Sequence, residues 1–190
     1  GRIALNNPYI SSANITQDTT YLGAPCDQPN FHATAVAGAM KSIHDPHRGH
    51  SRGISLWAGG SCNGYDTELH NRAAAAVTWG AQALNLSFGC DGKEGDCSIG
   101  PTEDDKYYDK IVFNDYRSII AAAGNNGRTI SGSNCSTGGD ETDNIYSPAL
   151  SYNSITVGAY YDNDTWFGSD DILYNCSSWR NPSSYYGDRE

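Results

Sequence analysis

The sequence predicts an α/β fold built on a mostly parallel sheet. Two observations carry that expectation. Apolar strand-like runs alternate with helix-like segments in the order strand, helix, strand, helix, strand, which is the rhythm of right-handed parallel crossovers. One run, Ser118-Ile119-Ile120-Ala121-Ala122-Ala123, has the character of a buried central strand and ends in Gly124-Asn125-Asn126-Gly127. Glycines there permit a tight turn, and Asn125 falls at the carboxyl end of the strand, where α/β proteins bind ligands.

The elements follow in order. Residues 1–30 are rich in turn signals (Asn6-Asn7-Pro8, Gly23-Ala24-Pro25, Gln28-Pro29-Asn30) and read as loop with little regular structure. Phe31 to Ile43 reads as a helix capped by Asn30, with His32 in its first turn. Its surface is small (Ala33, Ala35, Ala37, Gly38, Ala39), and close packing is expected to offset the helix propensity lost at Gly38, about 1 kcal/mol. His44, His47 and His50 have a spacing that could suggest a metal, but Pro46 and Gly49 prevent a helix that would align them, so a solvated loop is expected.

Ile54 to Ala58 alternates as a strand, and Asp66 or Thr67 caps a helix from Glu68 to Trp79 that Gly80 ends. Ala83 to Gly89 reads as the next strand and Cys90 to Pro101 as loop. Thr102 caps a helix reaching Tyr116, which leads into the Ser118–Ala123 strand. Gly132 to Asp140 reads as flexible loop, Ser154 to Tyr160 as a further strand, and the chain from Asp162 as a polar, turn-rich tail. One domain accounts for residues 1–190: a loop-rich entry over 1–30, an α/β core over 31–160 and a tail over 161–190.

Composition bounds the function. The 190 residues carry a formal net charge of −10. No basic patch is available to neutralise a phosphate backbone, so nucleic acid is excluded as a partner. No apolar run is long enough to span a membrane. No signal peptide is present, and the chain begins in what reads as an ordered segment, Gly1 to Leu5, so an excised piece of a longer protein is expected. Six cysteines with no Cys-x-x-Cys pair argue for disulfides and an oxidising, extracellular or cell-surface location. Cys90 and Cys97 bracket a short loop and are the first pair expected; the other pairings stay open. Five Asn-x-Ser/Thr sequons occur, at Asn14, Asn85, Asn134, Asn163 and Asn175.

Four segments now stand in a telling order. They are His32-Ala33-Thr34-Ala35-Val36-Ala37-Gly38, then Asn85-Leu86-Ser87-Phe88-Gly89, then Ala122-Ala123-Gly124-Asn125-Asn126-Gly127, then Ser147-Pro148-Ala149 followed by Ile155-Thr156-Val157-Gly158-Ala159. Together they resemble the subtilisin-like serine peptidases, over most of residues 31–180. The resemblance implies a three-layer fold, a mostly parallel sheet with helices on both faces, incomplete at both ends of this chain. It implies that His32 is the catalytic base and Asn125 the oxyanion donor. By the same match, Ser87, Phe88 and Gly89 form the strand that pairs with a peptide substrate and lines its first specificity pocket. Ser147-Pro148 matches a turn where the family often carries a cis proline, and Ser177-Ser178-Trp179-Arg180-Asn181 matches a Ser-rich hairpin. No cofactor is required on this reading. Calcium is left open by the resemblance alone, since Asp66, Asp104, Asp105, Asp170 and Asp171 read as solvated carboxylates.

The departures from the family pattern are specific. Ala33 stands for a glycine, adding a methyl beside His32, and Ala35 stands for a second histidine. The family's aspartate would fall at or before Gly1, and its Gly-Thr-Ser nucleophile motif after Glu190. A secreted endopeptidase acting on polypeptides is therefore expected of the parent protein, with the missing flanks as partners of this piece, which alone should be inert. A peptide-binding pseudopeptidase on the same fold is the alternative. A nucleotide- or small-acid-binding α/β domain is disfavoured, because neither Gly-x-Gly-x-x-Gly nor a phosphate-loop Gly-Lys-Ser/Thr occurs.

Overall fold

A computed structural model describes residues 1–10, 12–24, 26–64, 66–89, 101–127, 144–162, 168 and 170–179. The expected flexible loop over Gly132–Asp140 and the expected Cys90–Cys97 pair lie outside these residues. The chain divides into two units, Gly1–Ala81 and Gln82–Glu190.

In the first unit, strand β1 (Ile15–Gln17) lies parallel to β2 (Leu56–Ala58), with Ile15 opposite Leu56. Helix α1 (Phe31–Lys41) lies between them in sequence. Strand β1 falls where only loop was expected. Its three residues are too few to carry a period, and its partner lies about forty residues downstream. Ile3, Ile10 and Ala37 are buried together, with Ile15, Ala33, Leu56 and Ala58 packed against them.

Asn30 caps α1 as expected, accepting from the Ala33 amide at 3.1 Å. Among the described residues, the close packing expected at Gly38 is absent: a Cβ there would meet nothing within 4 Å outside its own helix. The residue instead borders a cavity of about 280 Å³, also lined by Tyr9, Phe31 and Thr34. At the other end of α1, Lys41 is 1% exposed, and its Nζ donates to the carbonyls of Arg52 (3.2 Å) and Ile54 (2.7 Å). The Ile54 carbonyl is thus engaged by a side chain, and β2 starts at Leu56 rather than Ile54.

The histidine loop folds back on the helix end. The Gly49 amide donates to Ser42, His50 to Ala39 and Ser51 to Met40, and the His44 ring lies between those of Tyr9 and His47. Among the described residues no group of three His, Cys, Asp or Glu could hold a metal ion. Helix α2 (Asp66–Trp79) ends at Gly80, whose φ of +103° is the left-handed stop the sequence predicts. On α2, Arg72 pairs with Asp18 at 2.6 Å and lies over the Tyr21 ring. A disulfide between Cys26 and Cys62 ties the loop before α1 to the loop before α2.

In the second unit, β3 (Ala83–Leu86), β4 (Ser118–Ala122) and β5 (Ile155–Val157) form a parallel sheet in that order. Leu84, Leu86, Ile119 and Ala121 are buried. Helix α3 (Glu103–Asp115) crosses from β3 to β4, packs against β4, and buries Asp105, Tyr108 and Ile111. Thr102 and Asp105 form a reciprocal capping box at its start. The strand expected over Ser154–Tyr160 breaks at Gly158-Ala159 into β5 and β6 (Tyr160–Tyr161), because Ser177 Oγ takes the Ala159 amide at 2.9 Å. Strand β6 pairs antiparallel with β7 (Ile172–Leu173) in the tail. The Ser147–Pro148 peptide is cis, as the resemblance implies. Cys176 is disulfide-bonded. Among the described residues, three parallel strand pairings and one antiparallel one give the mostly parallel α/β architecture predicted.

Candidate active site

Each expected site residue has a local reason for its position. His32 sits in the first turn of α1, exposed, two residues past the cap. The cap itself is fixed from the chain's first residues: the Asn30 amide donates to Arg2 at 2.8 Å and Arg2 donates to Gln28 at 3.3 Å. Gly1 packs so closely on Asn30 that a Cβ there would lie 2.1 Å from the Asn30 Cβ. Ala33, where the resemblance leads one to expect glycine, is half-buried, and its methyl packs against the Ile3, Ile10 and Ala37 cluster. Ala35 is exposed and borders the cavity beside α1.

Ser87, Phe88 and Gly89 continue the chain past the last paired residue of β3. The register with β4 ends at Leu86, so this stretch lies just beyond the ladder. Asn85 Nδ2 donates to Ser87 Oγ at 2.7 Å. A Cβ on Gly89 would lie 3.4 Å from the Ser147 carbonyl oxygen, so the cis-proline turn closely approaches the end of this stretch. That turn is held from α3 at two points. Thr102 Oγ1 and Ser147 Oγ share a 2.7 Å hydrogen bond, and Asp109 accepts from the amides of Tyr152 (3.0 Å) and Asn153 (2.7 Å).

Asn125 follows β4. Adjacent parallel strands thus deliver Ser87–Gly89 and Asn125 to the same carboxyl edge of one sheet. Gly124 turns the chain with φ of +112°. Asn126 and Gly127 are buried while Asn125 is exposed, so the turn presents one side chain outward and keeps its neighbours in. The inward neighbours are pinned by segment 175–178. Ser178 N donates to Gly124 O at 3.0 Å, Asn126 N donates to Ser178 Oγ at 3.0 Å, and Gly127 N donates to Cys176 O at 3.1 Å. The structure therefore brings Asn125, Ser87, Phe88 and Gly89 together in the second unit, and places His32 in the first.

The sequence reading missed the part played by Ser178. It sits 52 residues from the amide it accepts, and no local pattern signals such a partner.

The sequence model of the subtilase family matches residues 4–186. The chain belongs to the subtilase family. Among solved structures, the chain resembles the prenylagaramide maturation protease PagA with a TM-score of 0.66 and 22% identity, over 96% of this chain and 56% of that one. It resembles the patellamide maturation protease PatA with a TM-score of 0.63 and 19% identity, over 96% of this chain and 59% of that one. At these identities the likeness is one of fold, and the chain spans less than two thirds of either neighbour. No curated protein sequence is similar enough to count as a relative. Among the described residues, no helix of this subtilase domain is long and apolar enough to cross a membrane.

Proposed function

We propose that the chain is the central part of the catalytic domain of a secreted subtilisin-like serine endopeptidase. The observation that carries this reading is the carboxyl edge of the β3–β4 pair: Asn125 exposed on a pinned turn, on the strand next to the one that continues into Ser87–Gly89.

The chemistry follows from the residue types. A peptide lies along Ser87–Gly89 as an added strand, main chain to main chain. A serine hydroxyl attacks the scissile carbonyl, and His32 takes its proton and then returns it to the leaving amine. A carboxylate holds the imidazole in the working tautomer. The tetrahedral oxyanion needs a donor fixed in advance, because a group that must first reorganise gives up most of its benefit. Asn125 is that donor. The sequence contains no Gly-Thr-Ser, so the nucleophile is assigned to the rest of the parent protein, and the family match assigns the orienting acid there too. The reaction calls for no cofactor. Secretion is supported by the Cys26–Cys62 disulfide and the disulfide-bonded Cys176.

The test is labelling with a serine-reactive fluorophosphonate probe. The parent protein is expected to label, His32→Ala to abolish labelling and Asn125→Ala to weaken it, while the 190-residue piece stays unlabelled. A folded parent protein that does not label but binds peptides would replace this reading with a pseudopeptidase.

A further inference from the structure

We propose that Ser178 is the positioning residue for Asn125. This rests on the reading of Asn125 as the oxyanion donor. Ser178 is 1% exposed and does not reach the surface that a substrate would meet. It grips the residues on either side of Asn125 at once. Its amide donates to the Gly124 carbonyl, and its hydroxyl oxygen accepts from the Asn126 amide, both at 3.0 Å. The peptide planes flanking Asn125 are thereby fixed, and with them the direction of its Cα–Cβ bond.

The fit around the hydroxyl is close. A Cβ at Gly124 would come within 3.0 Å of Ser178 Oγ, so any side chain there would push the hydroxyl from its place. Asn126 is itself buried, so without that oxygen its amide has no water to turn to. The clamp is continued by the Gly127 to Cys176 bond, while the neighbouring Ser177 hydroxyl is engaged elsewhere, with Ala159 N and Ser178 O. Ser178 is therefore the one side chain of this segment that bonds the turn itself among the described residues. Its effect is exerted on Asn125 and not on the peptide-binding stretch at Ser87–Gly89.

A double-mutant cycle in the full-length parent protein tests this, with kcat and KM for a peptide substrate measured for Asn125→Ala, Ser178→Ala and the pair. Asn125→Ala is expected to lower kcat by roughly 10²–10³, a range taken from subtilisin and not from this chain. Ser178→Ala is expected to lower kcat about tenfold with KM changed less than about twofold, since a displaced donor is missed chiefly in the transition state. In the Asn125→Ala background, Ser178→Ala is expected to have little further effect on kcat. If Ser178→Ala does not fold, Ser178→Cys, which keeps the shape of the side chain with a larger atom and a weak acceptor, takes its place in the cycle.

An equal loss of kcat in both backgrounds would overturn the proposal, leaving Ser178 a structural residue. So would an unchanged kcat in Ser178→Ala alongside a loss in Asn125→Ala; there the reading of Asn125 survives. An unchanged kcat in Asn125→Ala, or a parent protein without turnover, removes the reading itself, and the proposal falls with it.

Discussion

Gly127 lies so close to Asn175 that a Cβ on the glycine would stand 2.2 Å from the Asn175 carbonyl oxygen. The two remaining near contacts, at 2.8 Å, are also backbone atoms, of Cys176 and Ser177. No flexible side chain can swing aside, so the turn and segment 175–178 have to separate for any other residue to fit. Gly127 is not among the glycines with positive φ, so space, and not dihedral freedom, dictates the residue. Gly127→Ala is expected to cost at least about 1–3 kcal/mol of stability, as overpacking of a tight contact does. Under the proposed reading of Asn125 as oxyanion donor, it should also lower kcat through displacement of Asn125. Thermal denaturation with steady-state kinetics on the parent protein checks both, and a variant with unchanged melting temperature and rate would refute the clamp.

The cis-proline turn gives a second expectation. Thr102 caps α3 and also bonds Ser147, while the buried Asp105 carboxylate completes the box with the Thr102 amide at 2.8 Å. Thr102→Ala removes the cap, usually worth about 0.5–2 kcal/mol, together with the bond to the turn. Ser147→Ala removes only the latter. The two changes are therefore expected to be sub-additive in denaturant melts, because the Ser147 bond is lost only once. Full additivity would mean that the Thr102–Ser147 bond contributes nothing.

These examples show where sequence reasoning succeeds in this chain. Helix ends were legible because their signals are local: Asn30 and Thr102 accept amide bonds within three residues, and Gly80 adopts the backbone angle that its position demands. The Asn125 turn was legible because a strand, a glycine and an exposed amide follow one another directly. Strand β1 was not, since three residues gain their pairing only from β2 across the unit. Neither was the break at Gly158-Ala159 nor the bracket around Asn125. Both are made by serines of segment 175–178, and a serine hydroxyl advertises no partner until the fold brings one to it.

Lys41 yields a stability prediction of another kind. Its ammonium is buried and, among the described residues, held by the carbonyls of Arg52 and Ile54 with no carboxylate beside it. Lys41→Met preserves the stem of the side chain and leaves two carbonyls without their donor. Each unsatisfied buried group costs about 1–3 kcal/mol, which outweighs the gain from no longer burying a charge only if both carbonyls stay dry. Net destabilisation of about 1–3 kcal/mol is expected, with β2 amides exchanging faster, measured by denaturant titration and hydrogen exchange. A Met variant as stable as the unsubstituted protein would show that water takes over the two carbonyls.

Asp18 gives the pH dependence. Its carboxyl is held below the usual carboxylate value of 3.8, chiefly by the Thr20 hydroxyl at 2.6 Å and the Thr20 amide at 2.9 Å, with Arg72 adding attraction. A carboxyl whose pKa is lower in the folded state stabilises the fold fully at pH values above its unfolded pKa. That contribution declines as pH falls below the unfolded value and is gone once pH has passed below the folded one. The contribution is set at less than about 1 kcal/mol, because water reaches the pair and screens it. Asp18→Asn keeps an acceptor for Thr20 but has no charge to lose. The unsubstituted protein should therefore be the more stable of the two near neutral pH, and the difference should shrink on acidification through the region below 3.8. Denaturant midpoints for both proteins along that titration check the sign. A gap that widens on acidification would mean that Asp18 is protonated more readily in the fold than in the open chain, contrary to the hydrogen bonds that surround it.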